Sequence, residues 1–278
     1  MCRLLILLAT AFAVATPSTV LAWGSAGHEI VAAIAEDRLG PEARAMVREI
    51  AGDVPLSSPD ICTWADHHRT PTTAKWHYVN IPFAATRYEP ERDCPRGACA
   101  VAEIGRAAGE LVHEDDPELR REALRWLVHV VADLHQPLHA GDGWDRGGND
   151  LRVRLGHRRE PTNLHHVWDT ELVEPFVRHR RRPLAAARLL EDAIPADAAR
   201  TWASNLDAVS WATESSREAR AIYAELRVRP TERGIIHLPH DYNRAEGRRV
   251  ADALQRAGVR LAALLDRIAR DRARNNRS

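Results

Sequence analysis

Two pairs of residues in this sequence pose one chemical question. His129 and Asp133 stand i and i+4 in a stretch where Leu124, Leu127, Val128, Val130, Val131, Leu134 and Leu138 make a helical cylinder apolar nearly all round. A helix of that kind is buried. Burying an unpaired carboxylate costs several kcal/mol and raises its pKa until it protonates. One helical turn separates the two groups, about 40° apart around the axis. Either the pair satisfies itself by a His–Asp hydrogen bond, or both groups point at a cation. His165 and Asp169 repeat the spacing on a second helical stretch that carries Trp168, and His139 lies ten residues beyond His129. Imidazole and carboxylate in this mixture suit zinc in catalytic sites.

Further candidates lie upstream. Trp64-Ala65-Asp66 and Trp76-His77-Tyr78 place an Asp and a His beside large aromatics that can wall off water. His28 follows Trp23 by five residues, and the position of Trp23 matters because of what precedes it. The apolar run Leu4 to Ala15 sits behind Arg3 and spans 12 residues, too short for a bilayer, which needs about 20. Thr16-Pro17-Ser18 breaks it, and Val20-Leu21-Ala22 offers the small residues of a signal-peptidase site. Residues 1–22 therefore read as a signal peptide and 23–278 as the mature chain, with Trp23 a free N-terminus in a secreted or periplasmic setting. A free amine and its own carbonyl can chelate, so Trp23 and His28 together could provide three ligand atoms once the leader is removed. Cysteine usage agrees with export: Cys94 and Cys99 bracket a short loop that a disulfide could close, whereas Cys62 reads as a small buried apolar residue.

The elements that must hold these groups read as helices. Glu29 to Leu39 is amphipathic and stops at Gly40, and Pro41 opens a helix to about Ile50. A short helix should hold Trp64, Asp66 and Arg69, and Thr72 to Pro82 reads as extended. A helix covers Val101 to His113. Asp116-Pro117 is a strong helix start, and that helix is expected to run to about His139. A glycine-rich loop (Gly141, Gly143, Gly147, Gly148) follows, and the alternation of Leu151, Val153 and Leu155 with arginines predicts one strand of a small ribbon. Thr162 or Asn163 caps the next helix. From Pro183 the chain is Ala-, Leu- and Arg-rich and helical, ending in a solvated tail over 267–278. With no internal repeat and no long linker, the fold reads as mainly α, a bundle-like single domain with a small β ribbon after the central helix.

Composition removes several function classes. Lys+Arg and Asp+Glu are 39 each, for a formal charge of zero. A broadly basic nucleic-acid coat, an acidic tail and a polybasic membrane binder are excluded as the basis of function. Against that neutral background, 14 His and 8 Trp beside 3 Phe are the unusual features.

Taken in order, Trp23, His28, Trp64-Ala65-Asp66, Trp76-His77-Tyr78, His129-x-x-x-Asp133-x-x-Gln136-Pro137-Leu138-His139, Gly147-Gly148-Asn149 and Asn163-Leu164-His165-x-x-Trp168-Asp169 resemble the trinuclear-zinc nucleases. These are the fungal single-strand nucleases S-one and P-one with their plant and bacterial relatives, which share a fold with zinc-dependent phospholipase C. The resemblance implies three Zn²⁺ per chain. One would be held by Asp66, His77, His129 and Asp133, a second by His139, His165 and Asp169. The third would take the Trp23 amine and carbonyl with His28, Asp133 bridging to the first. It also implies Arg69 near the scissile phosphate, Tyr78 stacking on a nucleobase, and a less defined catalytic or substrate-binding role for Asn149. Three dications against three carboxylates and a bridging hydroxide would leave about +2 in a recessed cavity, enough to draw a phosphodiester to a neutral protein.

The implied function is hydrolysis of single-stranded DNA and RNA to 5′-phosphate products, with 3′-nucleotidase activity and no membrane or obligate protein partner. Two rivals stand beside it. One is phospholipase C, where the second pair looks to end in Glu and its outer histidines lie nearer together than the 26 positions between His139 and His165. The other is a secreted zinc-stabilised binding protein, which needs a coordinatively closed cluster. His67 and His68 read as solvated loop residues and His135 as structural, as do His113, His157, His166, His179, His237 and His240. Trp126, Trp144, Trp202 and Trp211 read as core or rim, and Arg178 to Arg182 as a solvated segment.

Overall fold

A computed structural model describes residues 23–178, 182–227 and 234–277; the expected leader over 1–22, His179 and part of the arginine stretch after it lie outside these. The helices are α1 (Ser25–Arg38), α2 (Pro41–Ala51), α3 (Pro59–Cys62), α4 (Trp64–His67), α5 (Pro90–Asp93), α6 (Ala100–His113) and α7 (Pro117–Leu134). They continue as α8 (Leu164–His166), α9 (Glu174–Arg178), α10 (Pro183–Asp192), α11 (Ala196–Ser204), α12 (Ala208–Glu225) and α13 (Tyr242–Asn275). The mainly-α reading holds.

The central helix α7 starts as its sequence dictates: Asp116 accepts from the Glu118 and Leu119 amides, and Pro117 fills the first helical position. Leu124, Leu127, Val128, Val130, Val131 and Leu134 are all buried, and so are His129 and Asp133 among them. Around α7 pack α6, α3, α1 and α13, and α1 in turn lies along α13. That last contact needs Gly258, where a Cβ would fall 2.5 Å from Ile34 Cγ2.

Four expectations are corrected. First, α7 ends at Leu134 rather than near His139; Pro137 lacks an amide proton and holds Gln136 extended (φ −80, ψ 118), so a separate 3-10 turn over Pro137–His139 follows. Second, Thr72 to Pro82 is not extended throughout, because Thr73–His77 forms a 3-10 turn braced by the Thr70 and Thr73 hydroxyls. Third, the short helix carrying Trp64 and Asp66 stops at His67 and leaves Arg69 beyond it. Fourth, the region from Arg267 continues α13 to Asn275 instead of forming a solvated tail throughout: Arg267 and Arg270 are exposed, but Ile268 and Ala269 between them are buried.

Two small sheets fix the loops. Strand β1 (Ile81–Pro82) pairs in parallel with β2 (Gly141–Asp142), Ile81 opposite Gly141. This pairing draws the segment after His77 alongside the segment after His139, and the Val79 amide donates to the His139 carbonyl (2.8 Å). The expected ribbon appears as β3 (Arg152–Arg154) antiparallel to β4 (Thr162–Asn163). A third strand, β5 (Ile236–His237), joins β3 in parallel from a distant part of the chain. Asn163 then caps α8 through the His166 amide, as expected of one of the two residues there.

Candidate metal centre and its cavity

The buried His129–Asp133 pair is not alone. His77 Nδ1 lies 3.1 Å from Asp133 Oδ2 and 3.8 Å from Asp66 Oδ1. His129 Nε2 lies 3.2 Å from Asp133 Oδ2 and 3.5 Å from Asp66 Oδ1. Helix α7, the 3-10 turn at His77 and α4 thus bring four expected ligands together. On the other oxygen of the same carboxylate, His28 Nε2 from α1 sits 3.4 Å from Asp133 Oδ1. Asp133 therefore faces two groups with its two oxygens, the arrangement a bridging ligand needs. Beyond the end of α7, His139 Nε2 and His165 Nε2 approach Asp169 at 3.5 and 3.3 Å, with the two rings stacked. Zinc–nitrogen and zinc–oxygen bonds of about 2.0–2.1 Å at tetrahedral angles place ligand atoms about 3.3 Å apart, which these separations match.

Orientation of the rings gives the same answer. His129 Nδ1 donates to the Cys62 carbonyl (2.8 Å), His139 Nδ1 to the His77 carbonyl (2.9 Å) and His165 Nδ1 to the Gly147 carbonyl (2.7 Å). A carbonyl only accepts, so the proton of the neutral ring stays on Nδ1 and the lone pair on Nε2 faces the carboxylates. Backbone carbonyls hold metal-ligating histidines in this way. Buried Nε2 atoms of His28, His139 and His165, with Asp66 Oδ1 and Asp133 Oδ1, have no hydrogen-bond partner. Leaving that many buried polar atoms unsatisfied is costly unless cations take them up. The residues fit metal ions.

Charge follows from this packing. Burial works to raise the Asp133 carboxyl, yet His129 and His77 hold it well below the usual carboxylate range. Burial likewise opposes charge on His129, and Asp133 and Asp66 overrule it and raise the imidazole well above its ordinary value. For His28 burial wins, with His129 adding to it, and the pKa falls to about 3, which leaves a neutral ring at ordinary pH. Metal binding would displace the proton that His129 otherwise keeps.

Trp23, next to α1, is fully buried, with its indole donating to the Ala132 carbonyl on α7 (2.9 Å). The following Gly24 amide donates to the Asp169 carbonyl (2.8 Å), so the segment that opens the described chain is pinned between the two ligand-bearing helices.

His77, His139 and His165 form the floor of a cavity whose other walls are Arg69, Tyr78, Asn80, Leu138, Arg146 and Asn149. All three residues expected to meet substrate are here. Arg69 is set in place by donating to the Ala74 carbonyl (3.1 Å). The Asn149 amide donates to the Arg146 carbonyl (2.9 Å), which ties it to the glycine-rich loop as well as to the cavity. Residues read as structural behave so: His135 is buried, donating to the Val131 carbonyl and accepting from Arg260. Cys62 is buried with its thiol pushed up to about 12 by burial, unsuited to nucleophilic work. Cys94 and Cys99 are joined in a disulfide.

Sequence reasoning gave no role to three residues, of which only Gln136 was named, as part of the motif ending in His139. Gln136, fully buried, donates to Asp169 Oδ1 (2.6 Å) while its carbonyl accepts from the Leu138 amide (2.6 Å). Its signal was a glutamine directly before the proline that ends a buried helix. Asn80 and Arg146 carried no signal, since only the β1–β2 pairing and the loop geometry bring them to the cavity.

Comparison with known proteins agrees with this geometry. The family described as S1/P1 Nuclease matches residues 23–270. Endonuclease 2 of Arabidopsis thaliana is 30% identical over 272 residues, covering 88% of this chain and 90% of the relative. Nuclease S1 of Aspergillus oryzae is 31% identical over 160 residues, 55% of each chain. Nuclease P1 of Penicillium citrinum is 31% identical over 164 residues, 56% of this chain and 60% of its own. Eight candidate ligand side chains gathered in three groups and a match along nearly the whole described chain lead to one conclusion: the chain belongs to the S1/P1 nuclease family.

Proposed function

We propose that this protein is an exported zinc-dependent endonuclease that hydrolyses single-stranded DNA and RNA to 5′-phosphate products and also removes phosphate from 3′-nucleotides. The family is zinc-dependent, and three His/Asp groups here can hold three ions. The observation that carries the reading is that His77 from one of these groups and His139 and His165 from another line a single cavity together with Arg69, Tyr78 and Asn149. Asp66, His77, His129 and Asp133 would hold one ion, and His139, His165 and Asp169 a second. The third would take His28, Asp133 and the Trp23 amine and carbonyl after removal of residues 1–22. A family match that begins at Trp23 and the Cys94–Cys99 disulfide both support export to a secreted or periplasmic destination. Among the described residues no helix is long and apolar enough to cross a membrane.

When bound, zinc supplies concentrated positive charge and lowers the pKa of water toward neutrality. The chain's own residues do the rest. Arg69 on the cavity wall binds the phosphoryl oxygens and meets the charge that develops on them in the transition state. Tyr78 offers a face on which an unpaired base stacks, a contact that a paired base cannot make without leaving its duplex. Asn149, also on the cavity wall, orients the substrate. Trp126, edge-on to the His77 ring, and Trp76 behind it keep water from the ligand face that does not open to the cavity.

The test is hydrolysis by purified, zinc-loaded protein of single-stranded DNA, duplex DNA and phosphatidylcholine vesicles side by side. The single strand should be cut fastest, with activity lost to a chelator and restored by zinc. Turnover of the lipid alone would overturn the proposal.

A further inference from the structure

The loop between β2 and β3 holds a side chain that the site described so far does not use. Of the eight tryptophans, Trp144 is the exposed one, at 74%. Its backbone is left-handed (φ +73), a conformation that a bulky residue adopts only where the surroundings impose it.

The surroundings do impose it. Asp142 Oδ1 accepts from the amides of Trp144 (2.9 Å), Asp145 (3.1 Å) and Gly147 (3.3 Å). Asp145 is itself fixed, accepting from the Gly148 amide (3.0 Å) and the Tyr223 hydroxyl (2.6 Å). At Gly143 a Cβ would fall 2.9 Å from the Phe83 ring and 3.1 Å from the Tyr223 ring, so the base of the loop is packed hard against α12. The protein thus holds a large aromatic out in water on a rigid, strained support. Apolar burial cannot be the reason.

Its position suggests the reason. Arg146, two residues on, is a wall of the cavity, and two residues span at most about 7 Å. Arg146 is also left-handed (φ +57), and its guanidinium is engaged by Asp150 (Nε to Oδ2, 3.0 Å), which holds it at the lip. An aromatic face just outside a cavity that receives a nucleotide is placed to meet the neighbouring base of the same strand.

We propose that Trp144 is a second base-stacking platform, binding the nucleotide adjacent to the one held at Tyr78 and so favouring strands over mononucleotides. This rests on the nuclease reading, and the test separates the two. Binding to the zinc-loaded enzyme is measured by fluorescence anisotropy with a labelled phosphorothioate oligothymidylate, and by competition with thymidine 5′-phosphate. Base–aromatic stacking predicts that Trp144→Ala weakens binding of the strand about tenfold and of the mononucleotide no more than about twofold, with Trp144→Phe recovering most of the loss. An unchanged strand affinity in Trp144→Ala overturns the inference. So does an equal loss on both ligands, which would mark a general role in holding the loop. Because affinity is read without cleavage, a wild type that binds this strand but never cuts the ordinary phosphodiester strand of the same sequence would sink the nuclease reading and leave the stacking result standing on its own.

Discussion

Single residues here act mainly by fixing the direction of other residues. Gln136 shows this most plainly: one side chain donates to Asp169 and accepts from the Leu138 amide, coupling the carboxylate in the π-helical turn Val167–Glu171 that follows α8 to the turn that carries His139. Gln136→Leu keeps the volume roughly but leaves both partners unsatisfied. We expect zinc affinity to fall about 10- to 100-fold, the usual cost of losing an outer-shell partner, as read by competition with a chromogenic chelator. Unchanged affinity would show that Asp169 needs no such support. Trp23 is the other case. If its amine is a ligand, a chain carrying Ala22 or an added Met in front should bind one zinc ion fewer by elemental analysis, whereas equal zinc content would refute the assignment.

Among the elements, the turn at Pro137–His139 and the glycine-rich loop must approach more closely than most residues allow. Gly147 has φ +61, and a Cβ there would fall 2.2 Å from the Leu138 carbonyl oxygen. Its own carbonyl takes the His165 Nδ1 proton. Gly147→Ala should therefore cost about 2 kcal/mol or more, seen as a lower Tm, and should separate His139 from His165. Helix α7 also leans on α12 and α13. Ser215 donates to the Leu134 carbonyl left open at the helix end (2.7 Å), and His135 is clasped by Arg260, which pairs with Glu214. Burial, with Arg260 and Arg256 adding to it, holds His135 well below its ordinary pKa. The unfolded chain takes up a proton there below about pH 6.5 and the native protein does not. Stability from this residue is therefore full above about 6.5 and lost as pH falls, by about 1.4 kcal/mol per pH unit. In urea titrations across pH, the gap between wild type and His135→Gln should narrow below about 6.5. Parallel curves would contradict it.

At the scale of the whole molecule, a neutral protein acts on a polyanion, so attraction has to be local. The acidic and basic residues balance at 39 each, and metal ions held by the His/Asp groups that reach the cavity through His77, His139 and His165 would supply that local field. The surrounding helices serve mainly to make that convergence possible. Helix α1 brings His28 to α7 because Gly258 lets α13 press against it, and the β1–β2 pair brings Tyr78 next to His139.

The sequence by itself determined the set of candidate metal ligands and most of the helices. A buried helix cannot tolerate an idle carboxylate, so His129 and Asp133 announced a cation or a partner from their apolar neighbours alone, and the recurrence at His165 and Asp169 strengthened the case. Helix starts such as Asp116-Pro117 are local chemistry and were legible for the same reason. Tertiary structure decided what depends on contacts between distant segments. That α7 stops at Leu134 and turns so that His139 meets His165 and Asp169 was only half visible in Pro137. That Gln136 reaches Asp169, Asn80 and Arg146 line the cavity, and residues past Arg267 are helical and partly buried could not be seen, because each depends on a neighbour that the linear order places dozens of positions or more away.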